Sequence, residues 1–243
     1  MIAGPPPPVV VWHDAECGGY AADLPVWRAL AERECGPILD VGAGTGRVAL
    51  DLAARGHAVT ALDRDHDLLA ALTRRSADAG LSIATVLADA TGFELREARF
   101  GLILVPMQTL QLLENRPAFL AAAQRHLVPG GLLAAALAVA LEGFEGDAAV
   151  LPAPDRAMHA GWTFASQPVA VRELADRTVI ERIRSSRAPD GTLTAEPDAI
   201  ELARLTCDAL QAEGRSVGLE PESPLTIEAT EEHVGSQVVL LRA

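Results

Sequence analysis

Apolar and polar positions alternate along the first half of the chain in a repeating rhythm. From Asp23 to Glu34, residues Leu24, Val26, Trp27, Leu30 and Ala31 recur at helical spacing, and Gly36-Pro37 ends that helix. Ile38, Leu39 and Val41 then read as a short buried strand. A glycine-rich turn follows, and a helical stretch from Arg47 to Arg55 stops at Gly56. Val59 to Leu62 is a second apolar run ending at Asp63. A helix carrying Leu68, Leu69, Leu72 and Ala77 closes at Gly80. Ile83 to Leu87, ending at Asp89, predicts a third strand, and Phe100 to Val105 a fourth. Phe119 to Leu127 predicts a helix closed by Pro129-Gly130-Gly131, and Leu132 to Leu141 a fifth strand. Strands alternating with helices of this length imply right-handed βαβ units in a parallel sheet. Near-continuous apolar strands agree, because such sheets are covered on both faces.

After Glu142 the rhythm changes. Arg172–Leu174 and Thr178–Arg187 have the polar alternation of exposed strands, with a break at Pro189-Asp190-Gly191. Leu193 to Leu205 reads as a further strand, which Pro197 confines to an edge or a bulge. Thr206 is placed to cap a helix running to Val217, and Gln237 to Leu241 is a last strand. The expected fold class is α/β: a Rossmann-like, doubly wound, mostly parallel seven-stranded sheet with an added antiparallel β element in the C-terminal half. Residues 1–19 read as a partly mobile leader, with Pro5 to Pro8 extended. Residues 20–243 read as one domain, divided into a ligand-binding core (20–141), an antiparallel insertion or cover (142–205), and a terminal helix and strands (206–243).

Composition narrows the function. The chain has 243 residues, 49 % of them hydrophobic, which is ordinary for a globular domain. It carries 33 acids against 20 bases, a formal charge of −13, and every base is arginine. Such a chain is repelled by a phosphate backbone, and no basic stripe offsets that, so nucleic acid is not expected as a partner. Cys17, Cys35 and Cys207 cannot build a disulfide framework or a paired metal site and are expected as free thiols. The N-terminus has neither the charge nor the apolar core of a secretory signal. The most apolar run, Gly131 to Leu141, is too short for a membrane span, which needs about 20 residues. A cytoplasmic protein, monomeric or homodimeric and without a membrane partner, is expected.

The candidate chemistry lies in Ile38-Leu39-Asp40-Val41-Gly42-Ala43-Gly44-Thr45-Gly46-Arg47. Glycines between a strand and a helix permit positive φ and close approach of a ligand to the helix-start amides. The dinucleotide fingerprint G-x-G-x-x-G would place its third glycine at position 47, which is Arg47, so the turn argues against a nicotinamide ligand. Asp40, Asp63 and Asp89 end three successive strands, the edge at which open parallel sheets bind ligands. An anionic pyrophosphate is disfavoured there, whereas a ligand carrying an ammonium and a sulfonium is tolerated.

In these segments, and in Arg125-His126-Leu127-Val128-Pro129-Gly130-Gly131, the sequence resembles the class I S-adenosylmethionine-dependent methyltransferases over about residues 20–141. The resemblance implies that the glycine loop, with Asp40, Gly42, Ala43 and Gly44, holds the methionine moiety. It implies that Asp63, with Arg64 beside it, binds the ribose, that Asp89 and Ala90 bind the adenine, and that Tyr20 and Val105 border the cofactor. The segment Val105-Pro106-Met107-Gln108-Thr109-Leu110-Gln111 is similar to the small-molecule branch and lacks the Asn-Pro-Pro-Tyr signature. Met107, Gln108 and Gln111 are therefore the substrate candidates. The implied reaction is methyl transfer from S-adenosylmethionine to an oxygen or nitrogen of a small molecule. The rivals are a cofactor-binding protein that does not methylate and an NAD-dependent oxidoreductase.

No residue stands out as a general base, so no catalytic residue is assigned. His13 and Asp14 are the nearest candidates. His13, Asp14, Glu16 and Cys17 lie too close in sequence to make a metal site, and no metal is expected. His126 reads as a helix-terminal residue complementing the dipole. Trp162 and Phe164 read as packing residues of the antiparallel layer, and Arg182 and Arg184 as one solvated strand face.

Overall fold

The structure is a computed structural model that describes residues 7–95, 98–138, 141, 143–145, 151–230 and 233–243. The chain divides into two compact units, Ala21–Ala140 with Leu205–Ala243, and Met1–Tyr20 with Leu141–Arg204. In chain order the elements are α1 (Pro8–Cys17), α2 (Leu24–Arg33), β1 (Ile38–Val41), α3 (Arg47–Ala54), β2 (Val59–Asp63), α4 (His66–Asp78), β3 (Ala84–Leu87), β4 (Phe100–Val105), a 3-10 turn (Thr109–Leu112), α5 (Arg116–His126) and β5 (Leu127–Ala138). There follow β6 (Phe144–Glu145), β7 (Asp155–His159), β8 (Trp162–Glu173), β9 (Arg177–Arg187), β10 (Leu193–Ala203), α6 (Cys207–Ser216), β11 (Glu220–Ile227) and β12 (Ser236–Arg242).

The larger unit is built on a seven-stranded sheet of order β11-β12-β5-β4-β1-β2-β3. β3, β2, β1, β4 and β5 run parallel, and β12 is antiparallel to both β5 and β11. Every residue of β1 and β4 is buried, the pattern expected of central strands covered on both faces. Phe119, Leu120 and Leu210 pack with Ile103, Leu133 and Val239 over the sheet. The chain reverses its strand order between β1 and β4, which opens the crevice where ligands bind in such sheets.

Two strands of this sheet differ from the sequence reading. β3 is an edge strand whose residues are largely exposed, so its apolar run is a surface edge and not a buried interior. β11 carries two prolines and two acids that hide its strand character. It is tolerated because it lies at the opposite edge and bulges between Glu222 and Leu225, around Pro224.

The smaller unit is an antiparallel sheet of order β10-β9-β8-β6, with β7 also paired to β8. Pro197 sits in β10, the edge strand, opposite Ile183. The extended proline run was expected to reach Pro8, but α1 begins there. Proline has no amide to lose in the first helical turn, and its φ suits the helix.

α1 is held to the sheet by Trp12, which meets Phe164 edge-on at 5.5 Å, while Trp162 stacks on Phe164 at 6.2 Å. Beside them the Glu16 carboxylate accepts from Arg184 Nε and Nη2 at 2.8 Å each, and from Ser166 Oγ at 2.8 Å. Arg182 lies 2.9 Å from the same carboxylate, and both arginines also pair with Asp198. Arg182 and Arg184 are therefore not a solvated face: their guanidiniums are half-buried and are satisfied by Glu16 and Asp198.

Candidate active site

The glycine turn joins β1 to α3 and is stitched to the end of β2. The amides of Gly42 and Ala43 both donate to the Leu62 carbonyl, at 2.8 and 3.1 Å, and Gly46 N–H donates to the Ala43 carbonyl at 2.9 Å. Gly42 has φ +70°, and a Cβ there would lie 2.4 Å from Thr109 Cγ2. Gly46 caps α3 at φ +95°, with a Cβ position 2.7 Å from Leu72 Cγ. Both positions require glycine, for backbone conformation and for space.

Asp63 is the keystone of this turn. Its Oδ2 accepts from Gly44 N–H at 2.8 Å and its Oδ1 from Asp65 N–H at 2.9 Å. A carboxylate offers about four acceptor sites, so both oxygens keep capacity for a further donor. Asp65 in turn caps α4, accepting from the amides of Asp67 and Leu68.

Asp89, two residues beyond β3, is exposed. Its Oδ1 takes both the amide and the hydroxyl of Thr91, at 2.7 and 2.6 Å, and these bonds, with the nearby Arg64 guanidinium, hold its carboxyl below the usual range. Ala90 is buried next to it. Val105 is fully buried at the end of β4.

Asp40 is the electrostatic outlier. It is 1 % exposed, and neither carboxylate oxygen meets hydrogen-bond geometry with a donor among the described residues. Burial pushes its carboxyl up to about 7. The Arg47 guanidinium opposes that, as does an Ala49 amide that falls short of hydrogen-bond geometry. A buried acid left without a partner fits a site made for a cation.

The turn is supported from behind by residues the sequence reading did not single out. Arg47, at the first position of α3, makes a two-pronged bond to Asp23 at 2.5 and 2.8 Å, and Trp27 Nε1 donates to Asp23 at 2.7 Å. Asp23 is 1 % exposed. The only sequence signal was the i, i+4 spacing of Asp23 and Trp27 at the start of a helix.

β4 leads into Met107, whose φ of +55° is rare for a residue with a side chain, and Gln108, which is half-buried. Gln111 is used differently. It is 4 % exposed, its Oε1 accepts from Ala138 N–H at 2.8 Å, and its Nε2 donates to the Ala138 carbonyl at 3.3 Å. Its amide ties the 3-10 turn to the end of β5. The structure thus brings Asp40, Gly42–Gly44, Asp63, Arg64, Asp89, Ala90, Val105, Met107 and Gln108 to the carboxyl ends of β1–β4. Tyr20 belongs to the smaller unit, where its amide donates to the Cys17 carbonyl.

His126 is structural, though not as a helix-end cation. Its Nδ1 lies 2.7 Å from the Ala122 carbonyl and its Nε2 accepts from Leu95 N–H at 2.9 Å, an arrangement that only a neutral imidazole can make.

Residues 38–131 match the family profile of the methyltransferase domain. Over these residues the chain is similar to a methyltransferase domain. The unpartnered Asp40 carboxylate and the Asp63-bound glycine turn fit S-adenosylmethionine.

The chain shares its fold with solved structures along nearly its whole length. A sugar N-methyltransferase from Streptoalloteichus sp. is 19 % identical with a TM-score of 0.74, covering 99 % of this chain and 95 % of that one. An amino pentose methyltransferase from Micromonospora echinaspora is 21 % identical with a TM-score of 0.69, covering 96 % and 97 %. A glycopeptide N-methyltransferase complexed with S-adenosylhomocysteine is 23 % identical with a TM-score of 0.60, covering 90 % and 86 %. No curated protein matches the chain by sequence.

Proposed function

We propose that the protein transfers a methyl group from S-adenosylmethionine to an amine nitrogen of a sugar-bearing small molecule. The observation that supports it most is whole-length likeness to sugar and glycopeptide N-methyltransferases, with both sheets included in the covered length. When bound, the cofactor supplies an electrophilic methyl on a sulfonium with a good leaving group, so orientation carries most of the catalysis. Asp63 receives the ribose hydroxyls on its spare lone pairs, Asp89 the adenine amino group, and Asp40 the charged amino-acid end. Gln108 orients the acceptor, and Met107 forms an apolar wall beside it. An amine acceptor needs only to lose a proton to water, which agrees with a β4 exit made of Pro106, Met107, Gln108 and Thr109.

No described helix is long and apolar enough to cross a membrane. We place the enzyme in the cytoplasm with a small-molecule partner and no nucleic-acid partner, as a monomer or homodimer. Incubation with methyl-labelled S-adenosylmethionine and matched panels of amino and hydroxyl glycosides tests the reaction. Label in the amino panel supports the reading, and label confined to the hydroxyl panel replaces it with O-methylation.

A further inference from the structure

Thr109, the first residue of the 3-10 turn, lies against the glycine turn. A Cβ built on Gly42 would fall 2.8 Å from Thr109 Oγ1 and 3.2 Å from Thr109 Cβ, with Cγ2 nearer than either. Both branches of the threonine therefore point at Gly42. Thr109 is half-buried, and its hydroxyl makes no hydrogen bond among the described residues. Both sides of this contact are held in place. Gly42 N–H donates to the Leu62 carbonyl at 2.8 Å, the neighbouring Leu110 is fully buried, and Gln111 clamps Ala138.

The amides of the glycine turn are already engaged. Those of Gly42 and Ala43 donate to Leu62, that of Gly44 to Asp63 and that of Gly46 to Ala43. The Arg47 guanidinium is gripped by Asp23. The amino-acid end of S-adenosylmethionine carries an ammonium and a carboxylate on one carbon. With Asp40 receiving the ammonium, the carboxylate falls near Gly42, since residues two apart along an extended chain are about 7 Å from each other. An anion brought to this edge without a donor is costly, and the turn offers it none of these four amides.

We propose that the Thr109 hydroxyl donates to the carboxylate of the cofactor's amino-acid end as that end lies on the glycine turn. The inference rests on the cofactor reading given above. It makes Thr109 a cofactor-binding residue supplied by the same segment as Met107 and Gln108.

Calorimetry with three ligands tests it. S-adenosylhomocysteine carries both charges, its decarboxylated analogue lacks only the carboxylate, and 5′-methylthioadenosine lacks the whole amino-acid end. Thr109→Val keeps the shape and removes the hydroxyl. Its affinity for S-adenosylhomocysteine is expected to fall about tenfold, through loss of a charge-assisted bond, with the other two ligands within about twofold of the parent. Thr109→Ser keeps the hydroxyl, loses the methyl, and is expected to bind all three within about threefold of the parent. A role in packing against Gly42 gives the reverse order, with the serine variant impaired and the valine variant intact. Thr109→Ala reproduces the selective loss if the valine variant does not fold.

Unchanged S-adenosylhomocysteine affinity without the hydroxyl, equal loss for the decarboxylated analogue, or equal loss in Thr109→Ser overturns the proposal and leaves the cofactor reading standing. Absence of S-adenosylhomocysteine binding to the parent overturns both.

Discussion

The Gly44 amide donates to the Asp63 carboxylate at 2.8 Å, across a sequence separation of 19 residues. This bond makes the end of β2 part of the glycine turn, so the residue proposed to bind the ribose also sets the shape of the loop proposed to hold the methionine. The proposed cofactor recognition and local folding then meet at one side chain.

Asp63→Ala is expected to weaken S-adenosylhomocysteine binding by at least about tenfold, since each charge-assisted bond contributes about 1.5–3 kcal/mol. It should also lower stability, because the Gly44 and Asp65 amides lose their acceptor. Calorimetry and thermal melting check the two effects separately. A variant that melts like the parent while losing the ligand would show that the loop does not depend on Asp63.

Asp40 makes the unliganded protein less stable at higher pH. Its folded pKa of about 7 lies above the unfolded value of 3.8, so the folded state holds the proton more tightly. The stability conferred by that protonated form is present below about pH 4 and is lost as pH rises toward 7. Asp40→Asn is expected to be more stable than the parent at pH 8, by up to about 4 kcal/mol, and equal to it near pH 4. Denaturant midpoints at the two pH values provide the measurement, and a constant offset between them would contradict the prediction.

Gln108 and Gln111 should separate cleanly. Gln108→Ala is expected to reduce turnover of the acceptor with cofactor affinity within about twofold, since its proposed contacts are to the acceptor only. Gln111→Ala is expected to lower the melting temperature, because the Ala138 amide and carbonyl lose their partner at a cost of about 1–3 kcal/mol. Steady-state kinetics beside melting curves distinguishes them. An unchanged melting temperature for Gln111→Ala would remove it from the fold's support.

Glu16→Gln should loosen α1 from its sheet. Arg184 and Arg182 lose a shared anion and keep only Asp198, for a loss of about 1.5–3 kcal/mol. Limited proteolysis is expected to cut within residues 7–20 faster than in the parent. Identical cleavage rates would show that Trp12 and Phe164 alone hold the helix.

The sequence by itself determined the parallel sheet, the succession of strands and helices up to β5, the glycine turn and the acids at the strand ends. These are local signals: hydrophobic period, the φ demanded of Gly42 and Gly46, and the place of an acid just after an apolar run. Tertiary structure decided what those residues do to one another. Arg47 could be read only as a missing glycine until Asp23, 24 residues earlier, was seen to hold it. Gln111 looked like a substrate contact until the end of β5 claimed its amide, and Glu16, Arg182 and Arg184 became one ion cluster only when α1 met β9. β11 and α1 escaped the pattern because prolines fit an edge strand and a helix start as readily as a loop. Hydrophobic period records which face is buried. Pairing between distant polar groups leaves no periodic trace, because it depends on which elements the fold brings together.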